Sequence, residues 1–206
     1  MHHAGCMATI PAAILDAMIE RRPRATYQDV LDAPPEKVAE LVDGELYLFP
    51  RPAKPHTAAA SALGEELGPA FKRGRGGPGG WILLDEPELH LVEDILVPDM
   101  AGWRRERMAV MTNELPYFDL APDWVCEVLS DSTRKLDRAK KVPIYARFGV
   151  LHAWLVDPIA RTLEVLRLER ERYMIMATYA DDARVRAEPF DAVELNLAVL
   201  WADVQL

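Results

Sequence analysis

Cysteine is nearly absent from this 206-residue chain. Cys6 and Cys126 are its two cysteines, and neither stands in a Cys-x-x-Cys pair. That excludes a disulfide scaffold and argues against zinc ribbons and thioredoxin-like redox sites. Cys126 sits in an apolar run and reads as a small buried hydrophobe. A long apolar run is lacking as well: none reaches the ~18 residues that span a bilayer. Residues 1–10 do not have the charged-then-apolar form of a secretory signal. The expected location is therefore cytoplasmic, with no membrane partner. Positive charge is also in short supply. Lys and Arg number 24 against 33 Asp and Glu, and the net charge is -9. Such a chain does not coat nucleic acid by bulk charge, although a local basic groove stays open. There is no internal repeat, no helix-turn-helix or zinc-finger signature, and no basic stripe with interleaved aromatics. The glycine-rich residues 74–80 lack the Lys-Ser/Thr ending of a phosphate-binding loop and read as a connection.

What is present is a globular composition, half of it hydrophobic, long enough for one domain with a sizeable core. Residues 1–25 read as a partly flexible lead-in, with one short helix through Ile14, Met18 and Ile19. Residues 26–206 read as the domain. Thr26 caps a short helix over 27–31. Asp43-Gly44 between two apolar runs predicts a hairpin, because that pair supplies the positive φ of a tight turn. Ala59, Leu63, Leu67, Ala70 and Phe71 share one face of a helix over 56–72. Strands are expected over 81–92 and 95–103, joined at Glu93-Asp94, and again over 123–130. Ser130-Asp131-Ser132 offers an N-cap for a helix running to Phe148. Further strands follow at 152–156, 163–168 and 173–179, then a short element at 197–201. The order predicts a mixed α/β fold around one sheet.

Two carboxylates break the apolar pattern. In Trp124-Val125-Cys126-Glu127-Val128-Leu129 both faces read as buried, apart from Glu127. A carboxylate there is costly unless it is paired, protonated or bound to a metal. Val97, Asp99 and Ala101 repeat the anomaly, with Pro98 marking an edge or bulge that aims its neighbour. Two such acids suit a hard cation, Mg²⁺ or Mn²⁺; an ordinary ion pair with an arginine is the alternative. The helix after Glu127 carries Asp137 and Lys141 four apart on one face. A lysine there can lean over the strand end and stabilise a phosphate, or belong to a solvated, salt-bridged face. The cluster Arg104, Arg105, Arg107 reads either as a backbone contact or as a solvated loop.

These residues occur in a familiar order: Glu40-Leu41-Val42-Asp43-Gly44, His56, Pro98-Asp99, Glu127-Val128-Leu129-Ser130-Asp131-Ser132, Asp137, Lys141, Tyr145, Gly149 and Trp154-Leu155-Val156-Asp157-Pro158. The succession resembles the Uma-two family of restriction-endonuclease-like proteins, in the PD-(D/E)xK nuclease superfamily. The resemblance runs from about Thr26 to Leu168. It implies a restriction-endonuclease-like core, a central mixed sheet flanked by helices. It also implies that Asp99 and Glu127 hold Mg²⁺ or Mn²⁺, that Lys141 (with Lys140 its rival) stands in for a lysine absent at Leu129, and that Glu40 adds a ligand or orients water. His56 matches a recurrent histidine and is taken as structural or substrate-facing, not as a metal ligand. Pro143, two residues past Lys141, predicts a kink in that helix. The implied function is a metal-dependent endonuclease hydrolysing phosphodiester bonds in DNA, with a homodimer suited to cutting both strands. The alternatives are a catalytically inactive nuclease-fold binding or regulatory module, or a metal hydrolase acting on small phosphate esters.

Overall fold

The computed structural model describes residues 24–108, 110–111 and 114–204. The lead-in helix expected through Ile14, Met18 and Ile19 lies outside them, as does Cys6. Arg24 and Ala25 already join the fold, Ala25 donating its N–H to the Gly44 carbonyl (2.9 Å). Helix α1 (Tyr27–Leu31) starts at Thr26, whose N–H and hydroxyl both donate to Asp29. The hairpin forms as expected. Asp43 and Gly44 take φ of 52° and 81° and join β1 (Lys37–Val42) to β2 (Glu45–Pro50).

Helix α2 (Lys54–Leu67) begins with Pro55 in its first turn, where a missing N–H costs nothing. A π-helical turn, Gly68–Lys72, extends it, and all five expected apolar positions are buried. The two strands expected over 81–92 and 95–103 each break in half. The halves are β3 (Trp81–Asp85) and β4 (Leu89–Leu91), then β5 (Asp94–Leu96) and β6 (Met100–Arg104). The turn between β4 and β5 falls at Val92-Glu93. The breaks sit at Glu86-Pro87 and Pro98-Asp99, where proline cannot donate to a ladder. A run that reads as one strand thus enters two sheets.

The remaining strands are β7 (Trp124–Val128), β8 (His152–Asp157), β9 (Thr162–Glu169) and β10 (Arg172–Ala180). Between β7 and β8 one continuous helical run is assigned in three parts: α3 (Arg134–Leu136), a π-helical turn (Asp137–Lys141) and α4 (Val142–Arg147). Gly149, at φ 73°, ends it. A small ladder of β11 (Arg184–Val185) with β12 (Leu195–Asn196) and a 3-10 turn (Leu197–Trp201) complete the chain.

The main sheet has six strands ordered β10-β9-β8-β7-β6-β3, with β7 parallel to β8 and the other pairs antiparallel. The fold is the expected mixed α/β arrangement, but the hairpin belongs to a second sheet, β2-β1-β5-β4. The six-stranded sheet separates two cores. Trp124, Cys126 and Val128 of β7 face one of them, with α2, Trp81, Trp154 and Phe190. Val125 and Leu129 face the other, with Leu136, Ile144 and Tyr145 from the helical run and Val42 from the second sheet. That second core also holds the charged groups.

Candidate metal centre

Asp99 does not sit within a strand, as the alternation of Val97, Asp99 and Ala101 suggested. It stands in the break between β5 and β6, one residue before the ladder begins. Met100 of β6 pairs with Cys126 of β7, so one further step would set Asp99 opposite Glu127. Instead of continuing the ladder, the Asp99 carboxylate reaches across, and its Oδ2 accepts the Val128 N–H at 2.6 Å. Its Oδ1 lies 2.7 Å from His56 Nε2, brought by the first turn of α2. His56 is buried, with Nδ1 unpartnered. Burial alone would lower its pKa, but the hydrogen bond and charge of Asp99 outweigh it and raise it.

Glu127 is 2% exposed. Its Oε1 accepts from the Tyr145 hydroxyl (2.5 Å) and from Lys141 Nζ (3.0 Å). Glu40, on β1, offers Oε1 to Lys141 Nζ at 2.8 Å and to the Val97 N–H at 2.6 Å. Lys141 also donates to the Val97 carbonyl (3.3 Å), with Asp137 at 3.7 Å. Lys140 points elsewhere, to Asp43 at 3.2 Å on the surface. The predicted kink does not displace Lys141. The π turn directly before Pro143 widens the ladder, with Val142 N–H donating to Asp137, and the run continues to Arg147.

One recess is therefore lined by Glu40, His56, Asp99, Glu127 and Lys141 together. Asp137 lines it too, and Tyr145 stands behind Glu127; neither had a site role from sequence. Their signal was available, since 137, 141 and 145 follow a helix at spacings of four. Glu86 also borders the recess. Inside an expected strand an exposed glutamate carries no signal. Arg104 and Arg107 are committed to the fold: Arg104 lies over the Trp81 ring at 4.0 Å, and Arg107 pairs with Asp123 at 2.7 Å.

The charge in the recess is unbalanced. Glu40, Glu86, Asp99, Glu127 and Asp137 face Lys141, Arg51 and one histidine. Burial first, then the neighbouring acids, push Glu127 well above the usual carboxylate range against the pull of Lys141. Burial raises Asp137 to about 6. Burial opposes the Lys141 charge, but Glu127, Glu40 and Asp137 overcome it and hold the ammonium protonated. Among the described residues, no three of His, Cys, Asp and Glu are grouped to hold a metal ion. The donor chemistry nonetheless fits a hard divalent cation: two carboxylates, excess negative charge, and positions left for water and phosphate.

Comparison with known proteins gives a consistent picture. Residues 24–199 match the Uma2 family, described as "putative restriction endonuclease". No curated protein matches the chain. Among solved structures, a "putative nuclease belonging to DUF820" from Anabaena variabilis superposes with a TM-score of 0.70 at 23% identity, over 86% of this chain and 98% of that one. That likeness is one of fold.

Proposed function

The chain belongs to the Uma2 family, and from that premise we propose that it is a metal-dependent endonuclease that hydrolyses phosphodiester bonds in DNA. The observation that carries the reading is the gathering of Asp99, Glu127, Glu40 and Lys141 from four separate segments into one recess. Asp99 and Glu127 would hold Mg²⁺ or Mn²⁺, which lowers the pKa of a bound water and offsets phosphate charge.

The chain's own groups do the rest. The Val128 N–H and His56 fix the Asp99 carboxylate from two sides. The Tyr145 hydroxyl and Lys141 fix Glu127. Glu40 braces the Lys141 ammonium and ties it to the strand break through the Val97 N–H. Among the described residues Lys141 is the one buried lysine or arginine. Its charge is placed to stabilise the negative charge that builds on a phosphate under attack.

Incubation of plasmid or oligonucleotide with Mg²⁺ or Mn²⁺ tests the assignment. Asp99→Ala and Glu127→Ala should each reduce cleavage by about a thousandfold, the scale of a lost electrostatic element in a closed site. Equal product from wild type and variants would remove the assignment. One observation favours a second reading, a catalytically inactive nuclease-fold module: the Lys141 ammonium is already ion-paired with Glu40 and Glu127 and donates to the Val97 carbonyl. Calorimetric titration with Mn²⁺ separates the two, because the inactive module predicts no binding at millimolar ion.

A further inference from the structure

The groups that would do the chemistry lie below the surface. Glu40, Glu127 and Lys141 side chains are each 3% exposed. The recess they line holds about 110 Å³, below the ~300 Å³ at which ordinary small-ligand pockets begin. It opens into a wider groove of about 470 Å³, the two sharing Pro52, His56, Glu86 and Asp99. A phosphate with its water fits the inner space, and a nucleotide fits the groove. A duplex does not. It is stiff over ~150 base pairs, whereas a strand free to bend can carry one phosphate down to side chains this deeply set.

The groove walls point the same way. Glu65, Asp85 and Glu86 line it, while its Lys72 ammonium is turned onto the Leu83 carbonyl at 2.7 Å. Binding along a duplex calls for a row of cations on successive phosphates, and the walls are acidic instead. The lining of the recess offers something different: Phe49, half-buried against the second core with Tyr47 parallel to it at 6.3 Å and 8°, beside Arg51. An aromatic ring beside a phosphate site is a platform for an unpaired base.

Resting on the nuclease reading above, we infer that this site takes unpaired DNA, a single strand or a frayed end, and not the interior of a duplex. Phe49 receives the base beside the scissile phosphate, and few phosphates are contacted.

The test uses the full chain with Mn²⁺ on a labelled single strand, the same strand in a blunt duplex, a duplex with a single-stranded tail, and bis(p-nitrophenyl) phosphate. The single strand should be cut about tenfold faster than the duplex or more, because it bends freely into the recess. Cuts in the tailed substrate should fall in the tail. The salt dependence should match roughly one or two phosphates, and Phe49→Ala should raise KM for the strand roughly tenfold. Equal or faster cutting inside the duplex, or a steep salt dependence, overturns the inference and leaves the nuclease reading standing. Hydrolysis of the small diester with neither DNA cut overturns the inference and the DNA-nuclease reading together, and leaves a metal hydrolase of small phosphate esters. No hydrolysis of any substrate removes the nuclease reading and the inference with it.

Discussion

The two sides of β7 are built from one five-residue strand and behave as two different solvents. On one side Trp124 meets Trp154 edge-on at 5.4 Å, and Phe190 touches Phe71, Trp81, Trp124 and Trp154 at 4.8–5.5 Å. That core is held by area and shape. On the other side Glu127 is surrounded by three acids, a lysine and a tyrosine hydroxyl. The first side gains by excluding water. The second spends part of that gain on keeping charges in place, which is affordable because the sheet between them is already anchored.

The sharpest break between the two is Lys141→Ala. It leaves buried acids without their one buried cation and should cost about 3–5 kcal/mol in urea denaturation, with cleavage abolished. Phe190→Ala should cost a similar ~3–5 kcal/mol by opening a cavity, yet cleavage per folded molecule should stay at wild-type level. Loss of activity in Phe190→Ala at temperatures where it is folded would mean that the two sides are coupled.

Asp137 gives a smaller effect with a defined sign. Its folded pKa, raised to about 6 by burial, exceeds its unfolded value near the usual ~4. The folded state therefore holds the proton more tightly. Stability from this group is complete below pH ~4 and falls as pH rises through 6, by roughly 2–3 kcal/mol. Asp137→Asn should flatten the stability profile across that window; an unchanged slope would mean that Asp137 titrates normally. The smallest effect belongs to Lys140→Ala. Its surface pair with Asp43 is worth little in water, and neither denaturation midpoint nor cleavage should change measurably. A cleavage loss matching Lys141→Ala would return the catalytic role to its neighbour.

Much of this was legible in the residues, for reasons that can be named. Asp43-Gly44 dictates its turn locally, whatever surrounds it. The period of Ala59, Leu63 and Leu67 reports one buried helix face. Glu127 stands out because everything beside it on β7 is apolar. The breaks at Glu86-Pro87 and Pro98-Asp99 were less visible. A chain leaving one buried sheet for another stays apolar throughout, so hydrophobic pattern alone cannot show the change of partner. Pro98 marked the position, but as an edge or a bulge and not as a junction. The π turn at Asp137–Lys141 was hidden for a related reason: periodicity counts residues per turn, and one wide turn shifts the count by less than a face. Pro143 signalled trouble in the ladder, and the structure resolves it one turn earlier.

Because the lysine arrives on a helix, while the two acids of the proposed centre stand on β7 and in the break before β6, the centre exists only while that helix is docked. Local opening of residues 134–147 would leave the six-stranded sheet intact and withdraw Lys141, Asp137 and Tyr145 in a single step. Amide exchange should register this as a separate cooperative unit, protected less than β7 and β8. The molecule would then spend a small fraction of its time fully folded in its sheet and chemically disarmed.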